Sequence, residues 1–497
     1  MTDIPMHIQF ALISHTNSGK TTLARTLLGE DIGEVRDAAH VTAIAESHVL
    51  QTSAAGDTLR LWDTPGFGDS VRLQKRLAMS GNPVGWFLRE VVDRYRERPF
   101  WLSQQAMRTA RDEADVVLYL VNASEDPADA GYLAAEMRIL GWLEKPVIVL
   151  LNQMGAPRPL AYERAEQARW QRHLEQYPVV RGVLALDAFA RCWVHEHVFY
   201  EAVGALVPAA KQDAYARVFA AGEAARRKRF DEAMQLTANQ LVAAIQDSEL
   251  VEREDRTLFK SALKVVGLSI DREQKRQDRA MNLLAERLNL GVARTTVQLL
   301  MLHKLRSSHA AQVNERVRDN FTLRAPIDKT QASLLGALVS GAATGLSADL
   351  LAGGMTMGAG AVVGSVVGAL TFAGVAWGFN ACGDCEEPDM RFSDDFLRTL
   401  LVGSLLRYLA VAHFGRGRGD FIESEAPVFW QNEVEQAVAQ HGPALMSMFH
   451  AVREEANRDT ARAAAAVLIA QIAAQILLAL YPGATFLQHD ARQALHS

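Results

Sequence analysis

An apolar run from Ile8 to Ile13 gives way to Ser14-His15-Thr16-Asn17-Ser18-Gly19-Lys20-Thr21, and from Thr22 to Leu28 the residues suit a helix. A buried strand, a glycine-containing turn and a helix start in that order leave few folds open. The first turn of a helix presents backbone N–H groups without partners, and its dipole favours negative charge. Such a turn therefore cradles phosphate oxygens, and a lysine and a hydroxyl at its end add a cation and a metal ligand. The pattern is G-x-x-x-x-G-K-[ST] with Ser14 at the first glycine. A small side chain fits there if its φ is negative. Ser14, Asn17, Ser18, Gly19, Lys20, Thr21 and Thr22 are the expected phosphate-binding residues, with Gly19 where backbone must approach phosphate most closely. The bland alternative is a chance Gly-Lys-Thr at a helix start.

The following segment argues against chance. Ala45 to Thr52 and Thr58 to Trp62 alternate like two paired strands, and the second leads into Asp63-Thr64-Pro65-Gly66. A carboxylate at a strand end suits a water-bridged Mg²⁺, and a flexible glycine after it suits a γ-phosphate sensor. Thr42, in the loop before the paired strands, is the expected second hydroxyl on the metal. The metal set is thus Thr21, Thr42 and Asp63, and the groups expected to act in turnover are Lys20, Thr42 and Gly66. Further strands are expected at Val116 to Val121, Val147 to Leu151 and Val183 to Leu186, with helices between them. The alternation predicts a doubly wound α/β P-loop NTPase domain over residues 1–205.

The loop SHTNSGKTT, the paired strands leading into DTPGF, and LLNQMG at a later strand end resemble the Era-like class of bacterial translation-factor-type GTPases. The resemblance covers about two fifths of the chain. It implies GTP and GDP as ligands and Mg²⁺ as cofactor. Asn17 would place a K⁺ beside the phosphates. Phe67 stands where related enzymes carry a water-orienting glutamine, and a phenyl ring has no hydrogen bond to offer. Slow hydrolysis follows, unless a partner, a nucleotide-dependent homodimer or a cation supplies the missing stabilisation.

Guanine in this class is read by N-K-x-D, and the chain has Asn152-Gln153-Met154-Gly155. Asn152 would contact the purine and the Gln153 methylenes would cover its ring, but the acid is missing. Asp187 in LALDAF would replace it, with the Ala188 N–H on the base oxygen; alternatively Asp187 caps the next helix. The site is either guanine-specific or a less selective purine site.

At 497 residues the chain exceeds a single core, which stops growing near ~250–300 residues. Three cysteines, a start without a signal-peptide pattern and a net charge of -6 point to a cytoplasmic protein without a disulfide framework or an overall pull toward nucleic acid. Residues 82–105 form an insertion whose Trp86, Phe87, Val91 and Tyr95 share one helical face, packed on the domain or serving as a contact surface. Residues 206–331 form a charged helical region in which Met234, Ala238, Leu241 and Ile245 make one apolar stripe and Leu284 and Leu288 belong to another. Arg226 to Arg229 read as a solvated face, or alternatively as a contact for phosphate groups of lipid or RNA, and His195 and His197 lack the spacing of a zinc site.

Residues 332–382 change character. From Ser333 to Phe379 the only charge is Asp349, and glycines recur at four-residue steps at Gly360, Gly364 and Gly368. Two helices of ~20 residues could cross a bilayer there and pack closely through those glycines; alternatively they form a hairpin inside a soluble helical domain. Residues 383–497 are again helical, with a third apolar stretch from Ala463 to Tyr481. Cys382 and Cys385 are expected as free thiols, and Phe414 to Phe421 as a flexible basic turn. This half resembles the helical region that follows the GTPase domain in a group of bacterial Era-like proteins, which implies no activity. The whole is expected to be a slow GTPase switch associated with the inner membrane through lipid or a membrane protein. The alternatives are a nucleotide-holding scaffold and an Era-like ribosome-assembly factor, though no RNA-binding module is legible and nucleic acid is not an expected partner.

Overall fold

A computed structural model of the chain describes residues 4–16, 18–29, 45–68, 70–78, 98–155, 158–187, 193–250, 268–305, 378–380, 389–413, 428–455 and 457–487. The chain divides into two compact units, residues 1–228 with 412–427 and residues 229–411 with 428–497.

The first unit is built on a six-stranded sheet in the order β2-β3-β1-β4-β5-β6. Its strands are β1 (His7–Ser14), β2 (Glu46–Thr52), β3 (Thr58–Asp63), β4 (Val116–Asn122), β5 (Val147–Asn152) and β6 (Val180–Ala185). All neighbours run parallel except β2, which is antiparallel to β3. The helices are α1 (Lys20–Leu28), α2 (Ser70–Leu77), α3 (Arg98–Asp112), α4 (Leu133–Gly141), α5 (Leu160–Leu174), α6 (Trp193–Gly204) and the start of α7 (Gln212–Gln246). Helices on both faces explain why β4 and β5 are continuous apolar runs. Alternation in β1 sends Ala11 and Ile13 into one core layer, with Phe67, Tyr119 and Trp170, and Ile8, Phe10 and Leu12 into the other, with Phe199 and Tyr215.

Two details differ from the sequence expectation. The last strand begins at Val180 rather than Val183 and ends at Ala185. Only Val183 in it is buried, because β6 is an edge strand, and Arg181 and Gly182 hide its start from an apolar-run reading. Arg226, expected on a solvated face, is buried at 8% exposure; its guanidinium binds Glu223 at 2.6 Å and lies over the Tyr200 ring. A cation pairs there with an acid one turn away and an aromatic face, which makes its burial affordable. His197 faces the same Glu223 at 2.5 Å.

The second unit is mostly helical. After the end of α7 come β7 (Ser248–Leu250), α8 (Leu268–Leu302), β8 (Gly378–Asn380), β9 (Asp389–Arg391), α9 (Asp394–Ala412), α10 (Val428–Gln440), α11 (Gly442–Glu454) and α12 (Arg458–Leu480). The three short strands form an antiparallel sheet in the order β7-β9-β8. The stripe Met234, Ala238, Leu241 and Ile245 is buried, as are Leu284 and Leu288. Arg407 on α9 is 1% exposed and none of its guanidinium nitrogens has a hydrogen-bond partner among the described residues. Burial pushes that guanidinium down to about 10, so it stays charged at neutral pH. Among the described helices, α12 is long and apolar enough to cross a membrane, and 44% of its most apolar stretch is buried. The apolar segment 333–379, the cysteines Cys382 and Cys385, residues 414–421 and the apolar face Trp86, Phe87, Val91 and Tyr95 lie outside the described residues.

Candidate nucleotide site

The parallel strands end on one edge of the sheet, and that edge gathers the polar residues. β1 ends at Ser14, β3 at Asp63 and β5 at Asn152, while β6 is followed by Asp187. The crevice beyond the carboxyl ends of the strands, where connections leave in opposite directions from β1, is where open α/β sheets bind ligands.

Gly19 caps α1 at φ 86°, a left-handed conformation that glycine adopts without cost. A side chain there would also collide, since a Cβ would sit 2.6 Å from Asn152 Nδ2. Asn152 reaches back to the loop and donates Nδ2 to the Ser18 carbonyl at 2.7 Å. Ser18 Oγ donates to the His15 carbonyl at 3.0 Å, closing the loop on itself. Ser14 is fully buried, and φ is positive among described non-glycine residues only at Glu144, Gln153 and Lys304, so the serine sits in the loop without strain.

Ser14 also has a partner that glycine could not offer. Lys20 Nζ donates to Ser14 Oγ at 2.8 Å. Burial holds the Lys20 ammonium below its ordinary range, while Asp63 and then Glu136 oppose that shift. Thr21 Oγ1 donates to Asp63 Oδ2 at 2.7 Å. The other oxygen, Oδ1, is buried with no hydrogen-bond partner among the described residues, and burial raises the Asp63 carboxyl. A buried carboxylate oxygen without a donor beside a threonine hydroxyl is a donor set that fits a hard divalent cation. Gly66 approaches the loop so closely that a Cβ would lie 3.0 Å from Lys20 Nζ and 3.2 Å from Thr16 Cα.

Phe67 turns away from this edge. Its N–H donates to the Ser14 carbonyl at 2.9 Å and its ring is wholly buried in the core layer with Ile13 and Tyr119. At the opposite end, Gln153 and Gly155 take positive φ of 59° and 83°, and the Met154 N–H donates to Asp187 Oδ2 at 2.7 Å. Asp187 thus stands against the Gln153–Gly155 turn. Asn17, Thr42 and Ala188 lie outside the described residues.

A polar cluster beneath the loop was not anticipated from the sequence. Glu136 on α4 is wholly buried and receives Tyr119 Oη and Ser70 Oγ, each at 2.5 Å, with His15 Nδ1 at 2.7 Å. His15 is stacked on Tyr132, ring centroids 4.2 Å apart. The phosphate loop, the start of α2 after Gly66 and the core thus share one carboxylate. The sequence signal was an acid inside the apolar LAAEMRIL, because charged side chains are almost never fully buried unless paired.

The 50S ribosome-binding GTPase family matches residues 9–153. A domain of unknown function, DUF3482, matches residues 179–474, more than half of the chain. No curated protein matches. Similar solved structures include a variant of Aquifex aeolicus Era bound to GDP and AlF4⁻, 18% identical over 41% of this chain and 57% of that one, TM-score 0.31. Era in complex with MgGDPNP and nucleotides 1506–1542 of 16S ribosomal RNA is 18% identical over 37% of this chain and 52% of that one, TM-score 0.28. The chain spans little more than half the length of these structures. The first unit therefore carries a GTP-binding GTPase domain of α/β P-loop fold, followed by a mostly helical half.

Proposed function

The chain belongs to the DUF3482 family, whose helical domain stands here behind a GTPase domain, and on that premise we propose a slow, Mg²⁺-dependent GTPase switch controlling a membrane-associated helical half. The observation that carries this reading is the Thr21–Asp63 pair, 2.7 Å apart, with Asp63 Oδ1 buried beside it and unpartnered among the described residues. Thr21 and Thr42 would ligate Mg²⁺ and Asp63 would hold it through water. The ion supplies neutralisation of phosphate charge when bound.

The chain's own groups do the rest. Backbone N–H groups from Ser14 and Asn17 to Thr22 line the phosphates, and Lys20 leaves Ser14 Oγ to meet the β- and γ-phosphates. Gly66 lies close enough to the loop to sense the γ-phosphate. Phe67, packed in the core, offers no hydrogen bond to orient water, which favours slow turnover and an outside activator. Potassium beside Asn17, or a nucleotide-dependent homodimer, would supply it. Asn152 would steady the loop and flank the purine, Gln153 would cover the ring, and Asp187 with Ala188 would read the base edge. The apolar segment 333–379 and α12 are the proposed contacts with inner-membrane lipid or a membrane protein.

Competition among GTP, ATP and XTP for the purified full-length protein tests the nucleotide assignment. GTP is expected to compete best; equal competition by ATP removes the guanine reading. A nucleotide-holding scaffold is the second reading, favoured by the burial of Phe67. The matched family's ribosome-binding description keeps an Era-like ribosomal role open, and co-sedimentation with ribosomal subunits rather than membranes would select it.

A further inference from the structure

A cavity of about 490 Å³ opens in the helical unit, among the end of α7, the C-terminal half of α8 and the first turns of α12. Its size is that of a small-molecule site. Four arginines line it, Arg287, Arg294, Arg458 and Arg462, against one acid, Asp247. That acid is already engaged: Asp247 lies in the fork of Arg287, with contacts of 2.9 and 3.1 Å, and Arg287 also holds Glu249 at 2.9 Å. Among the described residues Arg462 pairs only with Asp459, at 3.2 Å, on a carboxylate that is 89% exposed. Arg294 and Arg458 form no ion pair among the described residues.

Arg458 and Arg462 begin α12, where the helix dipole already presents partial positive charge. Asp459 is the one acid in that first turn, so two arginines face a single exposed carboxylate and net positive charge is left over for an anion. Gln240, Thr295, Gln298 and Asn239 add polar groups to the wall, which suits a hydroxylated ligand better than an acyl chain. Guanidinium forks bind phosphate oxygens two at a time.

We propose that this cavity is a second anion site, separate from the nucleotide site, for a small hydroxylated phosphate ester of the glycerol phosphate type. The ester is either free or the headgroup of a phospholipid.

The test uses the full-length protein with its nucleotide site saturated with GDP. Glycerol 3-phosphate is titrated calorimetrically, and in a second arm the protein is sedimented with phosphatidylglycerol or phosphatidylcholine vesicles. The double variant Arg294→Gln/Arg458→Gln removes two exposed cations that hold no ion pair among the described residues, so GDP affinity and melting temperature serve as folding controls. Saturable binding near one equivalent, weakened tenfold or more in the double variant, is expected for the free ester. Sedimentation with phosphatidylglycerol alone, lost in the double variant, assigns the same chemistry to a lipid headgroup. No binding in either arm, or binding that the double variant leaves unchanged, overturns the proposal.

Discussion

His15 Nδ1 lies 2.7 Å from Glu136 Oε1, which joins the phosphate loop to a buried acid on a helix more than a hundred residues later. A carboxylate has only lone pairs to offer, so the ring nitrogen carries the proton. The same carboxylate takes Ser70 Oγ at the start of the helix after Gly66. One side chain is therefore positioned to make the loop and the segment following Asp63 move together.

Glu136→Gln tests that coupling. The amide has one acceptor oxygen for three donors, so at least one buried group is poorly paired, at a cost of about 1–3 kcal/mol. Chemical denaturation is expected to show that loss, together with faster GDP release. Unchanged stability and unchanged release would show that the cluster is incidental.

Ser14→Ala should tighten GTP binding. Lys20 Nζ donates to Ser14 Oγ at 2.8 Å, a bond that must break if the ammonium is to meet the phosphates. Removing it is expected to improve affinity by roughly tenfold, about 1.4 kcal/mol. Weaker binding in a stopped-flow or calorimetric titration would mean that the serine serves the bound state instead.

The base end has its own test. Gly155→Asp adds an acid where the base-reading pattern normally has one, and a Cβ there meets nothing nearer than Arg158 Nη2 at 3.9 Å. The positive φ of 83° is a strain that aspartate tolerates better than most residues. Preference for GTP over ATP is expected to rise about tenfold to a hundredfold. Asp187→Ala should lower it, and a preference that moves in neither variant would place the base elsewhere.

Much of this was legible in the sequence because its causes are local. The strand, loop and helix around Gly19, the paired strands into Asp63 and the buried stripes of the helical half follow from periodicity and turn chemistry. What escaped depends on long-range geometry. Nothing near Glu136 in sequence announces His15 or Ser70, and nothing near Arg226 announces the Tyr200 ring that covers it. Ser14 looked like a defect in a pattern, because the acceptor it gives Lys20 exists only when the loop is folded.

Acid stability should depend on Asp57, in the turn between β2 and β3. Arg217 holds it through two contacts, at 2.7 and 3.2 Å, and the Met6 N–H and Ser53 Oγ add to them. The Arg217 bonds, opposed by burial, keep this carboxyl well below the usual carboxylate range. Its folded form therefore binds fewer protons than its unfolded form below about pH 4, so the stabilisation is complete above that pH and is lost as pH falls toward the folded value. Urea melts at pH 7 are expected to show Arg217→Gln less stable by about 2 kcal/mol. The difference should shrink at pH 2.5, and a constant difference would assign the loss to packing.

The account rests on turnover at the Lys20, Thr21 and Asp63 edge of the sheet. Phosphate release from GTP by the purified full-length protein, with Mg²⁺ and in potassium and sodium salts, tests it most directly. Slow release by the wild type, faster in potassium and abolished by Lys20→Ala or by chelating the metal, is the expected result. Release that persists in Lys20→Ala, or a wild type that binds GTP and releases no phosphate in either salt, contradicts a GTPase switch.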